Sequence, residues 1–382
     1  MTIKVGVVGT GFAATSHIEA LRRLPHIEVI AVAGSNKAKA AETASRYGIA
    51  TAFGRWHDLV EHDAVQVVHN CTPNHLHAEI NAASIDSGKH ILSEKPLALN
   101  SAETSSLMQA AQASEVVSGV CFNYRHYPMV RQAKAMIQSG EYGPVNIAHG
   151  SYLQDWLLYD DDWNWRLESD KAGSSRAIAD IGSHWLDLVQ YVTGQNVAEL
   201  CADLSTIHAT RMKPAATSQT FAATDSPGRE SKSVDTEDFG NVLLRFAGGA
   251  RGAMSISQVS PGRKNRLWFE IDAASASFVW DQEEPNHLWM GRRHEANRQL
   301  VRDPGLLAPE TAKLTHFPAG HQEGWPDALK NVFLDFYAVV DARRAGDDHS
   351  ASFATFPDAH RVLCTVEAVV ASHRSRAWTE VK

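Results

Sequence analysis

The 382-residue chain lacks the sequence features of disulfide-rich, nucleic-acid-binding and membrane-spanning proteins. Its four cysteines, Cys71, Cys121, Cys201 and Cys364, show no CxxC spacing, which favours free thiols in a reducing compartment over a disulfide framework. A formal net charge of −8 provides no basic surface for nucleic acid. No apolar run approaches the roughly 18 residues of a membrane span. Because residue 1 leads directly into a strand, we expect no signal peptide, no membrane partner and a cytoplasmic location.

The first third of the chain alternates between two hydrophobic periods. Apolar, β-branched runs typical of strands alternate with segments whose apolar residues recur at the period of an α-helix. The strand candidates are 3–8, 27–33, 65–70, 90–93 and 116–121, and the helix candidates are 13–23, 37–47, 75–87 and 102–114. Nearly continuous apolar strands separated by helices predict a parallel sheet covered on both faces, with ligands at the carboxyl ends of its strands.

After Gly143-Pro144 the pattern changes. Strand candidates at 145–154, 197–208, 239–246, 250–258, 266–273 and 277–280 follow, with a helix predicted over 178–192. Because no crossover helices separate the later strands, we predict a large open, mostly antiparallel sheet. The fold class is therefore α/β, with a parallel-sheet domain over 1–122 followed by an α+β domain over 123–382. Two late helices, 327–344 and 357–373, are expected to pack back on the first domain, and 211–235 to form a mobile surface excursion.

A glycine-rich turn follows the first strand. Gly9 permits a tight turn, Gly11 lets backbone amides approach a pyrophosphate, and Phe12 and Ala13 open the helix whose N-terminus attracts phosphate. Ala14 occupies the third small-residue position. Such a turn alone is a weak signal, but its place at the start of a repeating strand–helix pattern favours a dinucleotide site.

The end of the second strand bears on the choice of cofactor. NAD sites usually place Asp or Glu here to hold the ribose hydroxyls, but this chain has Ser35, Asn36 and Lys37 and no carboxylate until Glu42. These side chains suit a 2′-phosphate, which slightly favours NADP over NAD. Asn36 would serve a ribose hydroxyl equally well, and an ordinary solvated turn is the alternative.

A polar segment follows the third long apolar run. Thr72, Pro73, Asn74 and His77 lie at the predicted carboxyl edge, with Asn74 expected as a helix N-cap and the group as cofactor contacts. His75 and His77 have no Cys or carboxylate partner at ligand spacing, so we expect no metal.

Glu94, Lys95 and Pro96 end the next strand at the same edge. The proline favours a fixed turn. A lysine beside an oxidised nicotinamide would have a lowered pKa suited to proton transfer, with Glu94 orienting or offsetting it. A solvated surface lysine is the alternative.

Candidate substrate residues lie further along the chain. In a helix, Asp180 and His184 share one face at i and i+4, with Asp180 also a candidate cap. The stretches around Gln154 and around Trp165-Arg166 combine aromatic and hydrogen-bonding side chains that suit a sugar ring, although a lid would look the same. The candidate substrate contacts are Tyr124, Gln154, Trp165, Arg166, Asp180 and His184.

Four motifs together resemble the Gfo/Idh/MocA oxidoreductases. They are Gly9-x-Gly11-x-x-Ala14, Thr72-Pro73-Asn74-x-x-His77, Glu94-Lys95-Pro96 and Asp180-x-Gly182-x-His184. The resemblance implies a catalytic trio of Lys95, Asp180 and His184 that oxidises a ring secondary alcohol of a sugar, anhydrosugar or glycoside. It also implies that 1–122 is a Rossmann dinucleotide-binding domain and 123–382 a substrate-binding and oligomerisation domain, with a homodimer or homotetramer built through the C-terminal sheet. An inositol dehydrogenase is the enzymatic alternative, and a non-catalytic dinucleotide-binding regulator of the same superfamily is the alternative of another class.

Overall fold

In the computed structural model, which describes residues 2–215 and 228–382, the chain divides into two compact units. The first contains the chain up to Asn123 together with Leu329–Arg361. The second contains Tyr124–Ala328 and Val362–Lys382. The segment Leu329–Arg361 therefore belongs with the N-terminal part of the chain.

The first unit is built on a six-stranded sheet in the order β3-β2-β1-β4-β5-β6, parallel throughout. Its strands are β1 (Ile3–Val8), β2 (Ile27–Ala33), β3 (Thr51–Phe53), β4 (Val67–Asn70), β5 (His90–Ser93) and β6 (Ser118–Val120). Its helices are α1 (Phe12–Leu21), α2 (Lys37–Tyr47), α3 (Trp56–Val60), α4 (His77–Asp86) and α5 (Ser101–Gln112). Val5 and Val7 are wholly buried, as expected of a strand covered on both faces. The predicted parallel Rossmann sheet is confirmed.

Local signals explain where two of these helices begin and end. The Asn36 side chain accepts the Lys39 N–H at the start of α2, and Asn100 accepts the Glu103 N–H at the start of α5. Helix α2 ends at Gly48, whose φ of 57° is a left-handed conformation that glycine adopts without strain.

The second unit contains a nine-stranded sheet in the order β16-β15-β14-β13-β7-β12-β11-β8-β17 and a separate pair, β9 and β10. The strands are β7 (Val145–Leu153), β8 (Val197–Ser205), β9 (Thr210–Pro214), β10 (Arg229–Ser233), β11 (Phe239–Phe246), β12 (Arg251–Ser257), β13 (Arg266–Ala273), β14 (Ser277–Asp281), β15 (His287–Gly291), β16 (Arg298–Val301) and β17 (Thr379–Glu380). The helices are α6 (Pro128–Gln138), α7 (Ser169–Ala172), α8 (Ser183–Thr193), α9 (Pro309–Ala312), α10 (Trp325–Ala345) and α11 (Phe356–Ser375), the last two shared with the first unit. Only β7 and β12 pair in parallel, so the predicted mostly antiparallel sheet is confirmed.

The predicted excursion over 211–235 is wrong at both of its ends. β9 and β10 pair antiparallel, with Arg211 opposite Lys232. Arg211 is wholly buried because its guanidinium contacts the Asp238 carboxylate and several backbone carbonyls. The polar composition of this segment did not predict β9, because the buried contact of that strand is the ion pair between Arg211 and Asp238. Residues 216–227 lie outside the described part of the chain.

Helix α8 approaches the large sheet closely at one point on β7. The Trp185 indole donates to the Trp268 carbonyl at 3.0 Å. A Cβ at Gly150 would lie 2.2 Å from that oxygen and 2.7 Å from the indole nitrogen. Glycine is therefore required here for the helix to pack on the sheet.

Candidate active site

The glycine turn of the first unit has the geometry that a dinucleotide requires. Gly9 has φ 127°, and a Cβ there would lie 2.5 Å from the Cys71 carbonyl oxygen. At Gly11, which precedes the ten-residue helix α1, a Cβ would have nothing within 4 Å. Phe12 is half exposed beside this open space. The turn and the helix N-terminus thus offer backbone amides to a phosphate, and the residues present fit the cofactor.

His77 connects two of the predicted cofactor loops. It is wholly buried, with Nδ1 2.6 Å from the Pro96 carbonyl oxygen and Nε2 2.8 Å from that of Thr72. Burial lowers the pKa of His77, although both carbonyl contacts oppose this change. Since both nitrogens contact backbone oxygens, the His77 side chain holds the Thr72 and Pro96 loops together.

The predicted N-cap at Asn74 is wrong. Asn74 is the first residue of a short 3₁₀ turn, Asn74–Leu76, preceded by Pro73, and α4 begins only at His77. Pro73 takes the capping position because its extended backbone is already fixed by the ring.

The Ser35–Lys37 segment is exposed at the end of β2. The Asn36 side-chain oxygen is occupied by capping α2, and the Lys37 amine donates to the Ala52 carbonyl on β3. The exposed Ser35 follows Gly34, the first residue after the strand.

Lys95 is partly buried, and its peptide with Pro96 is cis. The Glu94 carboxylate accepts the Lys95 backbone N–H at 3.2 Å through Oε2 and contacts Nε2 of His17 at 3.1 Å through Oε1. The carboxylate therefore bridges the Lys95 turn and helix α1.

Buried amides that the sequence analysis missed join the ends of β4 and β5. The Asn70 amide donates to Asn81 Oδ1 at 2.9 Å, and the Asn81 amide donates to Ser93 Oγ at 3.0 Å. Asn70 Oδ1 accepts from the Thr72 hydroxyl at 2.7 Å. An asparagine at the last position of an apolar strand, with another on the following helix, was the available signal.

In the second unit, Asp180 lies in a π-helical turn, Ile178–Gly182, that leads into α8. Its carboxylate accepts from Arg166 Nε at 3.1 Å and from Gln258 Nε2 at 3.0 Å. The proposed capping role of Asp180 is wrong, because the Glu237 carboxylate accepts the backbone N–H groups of Arg176 and Ile178 instead. Asp180 is thereby left to pair with Arg166, whose guanidinium also lies 4.5 Å from the Trp165 ring.

His184 and Tyr124, two predicted substrate residues, are in contact. The His184 ring is 7% exposed and meets Tyr124 edge-on at 4.9 Å. Asn265 closes a triangle of hydrogen bonds with two tyrosines: its Oδ1 lies 2.6 Å from Tyr152 Oη, its Nδ2 lies 3.0 Å from Tyr124 Oη, and the two hydroxyls are 2.7 Å apart. Gln154 donates to the same Asn265 oxygen at 2.8 Å. Burial raises the pKa of both tyrosines, and the nearby Asp180 carboxylate adds to this increase.

The second unit thus gathers the imidazole, the carboxylate and several hydrogen-bonding groups around α8. The sequence analysis missed Asn265 and Gln258, because each lies in or beside a loop far from the motifs. Their only signal was position: Gln258 is the last residue of the strand predicted over 250–258, and Asn265 comes just before the one predicted over 266–273.

Two side-chain groups among the described residues have metal-ligating atoms within 4.8 Å of one another: His17, Glu94 and Cys121 in the first unit, and His149, Glu270 and Asp272 on the large sheet. Neither includes His75 and His77, so the expectation that this pair binds no metal stays a prediction. No helix in the described residues is long and apolar enough to cross a membrane.

Comparison with known proteins identifies the family. The oxidoreductase family with an NAD-binding Rossmann fold matches residues 3–122, and the GFO/IDH/MocA C-terminal domain matches residues 130–279. The chain belongs to the GFO/IDH/MocA family of oxidoreductases, as its motifs predicted.

Particular relatives extend this result. The chain is 31% identical to levoglucosan dehydrogenase of Pseudarthrobacter phenanthrenivorans, over 99% of this chain and 98% of that protein. It is 24% identical to the myo-inositol 2-dehydrogenase of Thermotoga maritima, over 67% and 69% of the two chains. The solved structure of a levoglucosan dehydrogenase in complex with NADH and levoglucosan is 29% identical and superposes with a TM-score of 0.88 over 100% of both chains.

Proposed function

We propose that this oxidoreductase oxidises a ring secondary alcohol of a sugar, anhydrosugar or glycoside, with a nicotinamide cofactor as hydride acceptor. The observation that carries the proposal is the group around α8, where Asp180 is bonded to Arg166 and Gln258. In the same group His184 contacts Tyr124, whose hydroxyl is bonded to Asn265. Oriented donors and acceptors beside aromatic rings suit the hydroxyls and C–H faces of a sugar. The similarity to levoglucosan dehydrogenase over 99% of the chain supports the same substrate class.

The catalytic roles are proposals of ours. The hydroxyl proton passes to His184 or Lys95 as the C–H hydride leaves. Lys95 also stabilises the developing alkoxide, while Asp180 holds a substrate hydroxyl and Arg166 fixes the carboxylate of Asp180. The cofactor, when bound, accepts the hydride at C4 of its nicotinamide ring.

For the cofactor, we propose NADP or NAD, with NADP slightly favoured. The support is the absence of an acidic side chain at Ser35–Lys37 and the exposure of these residues. Ser35→Ala and Lys37→Met should each raise the KM for NADP more than that for NAD, whereas Lys4→Met, at the opposite end of β1, should change neither. Equal effects on both cofactors would contradict the assignment.

For assembly, we propose a homodimer or homotetramer through the outer face of the nine-stranded sheet. One row across this face contains Cys201, Leu243, Ala253, His149, Glu270, Val279 and Trp289. Within this row, the Leu243 side chain is 53% exposed. Ile147, which lies on the same strand as His149, is 45% exposed. Light scattering should show Leu243→Lys at a lower mass than the wild type if this face is the interface, and an unchanged mass would contradict it.

The test of the function is an absorbance screen at the reduced-nicotinamide band, with NAD⁺ and NADP⁺ each against anhydrosugars, glycosides, aldoses and inositols. We expect turnover with an anhydrosugar or a glycoside. Preferential turnover of inositols would support the cyclitol alternative. Stoichiometric cofactor binding without reduction on any substrate would support the regulator alternative.

A further inference from the structure

Four side chains of the first unit, three of them wholly buried, form a continuous hydrogen-bonded chain that ends beside Lys95. Tyr337 Oη lies 2.9 Å from Nε2 of His69, Nδ1 of His69 lies 2.9 Å from Nδ1 of His17, and Nε2 of His17 lies 3.1 Å from Oε1 of Glu94. Tyr337, His69 and His17 are each wholly buried, and the Glu94 side chain is 18% exposed. The chain thus links α10, β4 and α1 to the turn after β5.

Hydrogen-bond chemistry allows one direction for this chain when both imidazoles are neutral. A carboxylate only accepts, so His17 donates through Nε2 and its Nδ1 must accept. His69 therefore donates through Nδ1, which leaves its Nε2 to accept the Tyr337 hydroxyl proton. Burial, with a smaller contribution from His17, holds the pKa of His69 well below its usual value, which keeps that ring neutral.

The surroundings of the chain are apolar and rigid. The Phe333 ring meets His17 at 4.8 Å and His69 at 5.0 Å, edge-on in both cases. The Tyr337 ring stacks on His69 at 14° and 6.0 Å. Phe333 and Tyr337 are one helical turn apart on α10, so the same helix encloses the imidazoles and supplies the terminal donor.

The acceptor end of the chain is tied to the Lys95 turn. Oε2 of Glu94 accepts the Lys95 N–H and Oε1 accepts from His17, and the Cys121 sulfur lies within 4.8 Å of a carboxylate oxygen. A carboxylate that accepts from several fixed donors has little freedom to rotate. The backbone that carries Lys95 is therefore oriented by residues distant in sequence.

We propose that Tyr337, His69 and His17 are positioning residues that fix Glu94 and, through it, the Lys95 turn, an inference that rests on the proposed catalytic role of Lys95. The chain does not touch the reacting atoms. Its function is to hold one protonation pattern, in which every donor points towards the carboxylate.

Two variants of His17 separate positioning from packing in the full-length protein. Gln offers an amide N–H to Glu94 and a carbonyl to His69, whereas Leu fills the space without polar atoms. With the best sugar of the screen, we expect His17→Leu to lower kcat on the order of 10- to 100-fold, since small misplacements of reacting groups have such effects. His17→Gln should recover most of that loss, and Tyr337→Phe should fall between the two.

The matched control is Tyr47→Phe, which removes a partly buried tyrosine hydroxyl that donates to Glu19 on helix α1 at 3.0 Å and takes no part in the hydrogen-bonded chain. It should leave kcat unchanged. The affinity for NADH, from fluorescence titration, and the unfolding temperature show which variants remain folded. If His17→Gln and His17→Leu lose kcat equally, or if neither loses it, positioning is refuted.

A second measurement does not depend on turnover. In ¹⁵N-histidine spectra, His69 should be protonated at Nδ1 and His17 at Nε2. Glu94→Gln should shift the nitrogen resonances of both rings, and Tyr47→Phe those of neither. If the wild type oxidises no sugar in the panel, the proposed function fails, but these spectra still test the hydrogen-bonded chain. A response to Glu94→Gln that reaches His69 supports the hydrogen-bonded chain. A response confined to His17, or the opposite tautomers, overturns it.

Discussion

Asp238→Asn tests the buried ion network that supports the candidate substrate residues. The Asp238 carboxylate accepts from the guanidiniums of Arg176 and Arg211, and the side chains of all three residues are 0% exposed. Burial alone would raise the pKa of Asp238, but the two guanidiniums and the His208 N–H overcome this and hold it below its usual value. Asparagine keeps the shape of the side chain and removes one of the charges that balance the two cations.

The expected loss of stability depends on the negative charge that remains near the two guanidiniums after the substitution. Glu237 is then the remaining carboxylate beside Arg176, and its oxygen is already bonded to Ser175 and to backbone N–H groups. Removal of one partner from a buried ion pair typically costs about 3–5 kcal/mol, because an uncompensated charge stays buried. For a unit of this size we expect a fall of roughly 10 °C in unfolding temperature.

The assay is thermal unfolding followed by tryptophan fluorescence, since Trp156 and Trp163 pack against a small buried cluster of the same unit. The control is Glu230→Gln, which breaks the exposed ion pair with Lys232 on β10 and should leave the transition unchanged. A transition of Asp238→Asn at the wild-type temperature would show that the network is not stabilised by its charge balance.

Three further results are expected. Lys95→Ala should lower kcat by orders of magnitude while NADH titration shows nearly wild-type affinity, and wild-type turnover would remove Lys95 from the mechanism. Gln258→Leu, which takes one donor from the Asp180 carboxylate, should raise the KM for the sugar more than that for the cofactor, and a change confined to the cofactor would contradict the site. Burial, with Arg344 and Arg343, lowers the pKa of His90 to about 4. The unfolded chain therefore binds the extra proton as the pH falls from about 6.5 towards 4, and stability is lost in that window. His90→Asn, which keeps an acceptor for the Val117 N–H, should flatten urea stability curves there by about 1–2 kcal/mol after allowance for partial exposure, and an equal slope would refute the assignment.

The periodicity of the sequence was enough to predict the Rossmann unit, because its strands are apolar on both faces and its turns carry Gly9 and Gly48 where positive φ is needed. It failed at β9, where the buried face of the strand is made by Arg211 rather than by an apolar side chain. Local patterns report which residues avoid water, and they do not report a charge buried against a partner distant in sequence.

The candidate site residues show the same difference between local sequence patterns and contacts distant in sequence. The motifs singled out Lys95, Asp180 and His184 as candidates from the sequence. Their contacts and those of their neighbours, such as Gln258 on Asp180 and His17 on Glu94, are brought in by tertiary structure. The assignment of Asn74 as a cap failed because Pro73 competes for that position. Asp180 failed as a cap because Glu237, which lies just before β11 and far from Asp180 in sequence, supplies the acceptor.

Gly150 has a consequence for anyone who wishes to change the substrate of this enzyme. The residue next to Trp185 on α8 is His184, so the missing side chain at position 150 sets the height of that imidazole above the sheet. Any substitution of Gly150 in a directed-evolution library would displace α8, because even the methyl group of alanine would clash with the Trp268 carbonyl and the Trp185 indole.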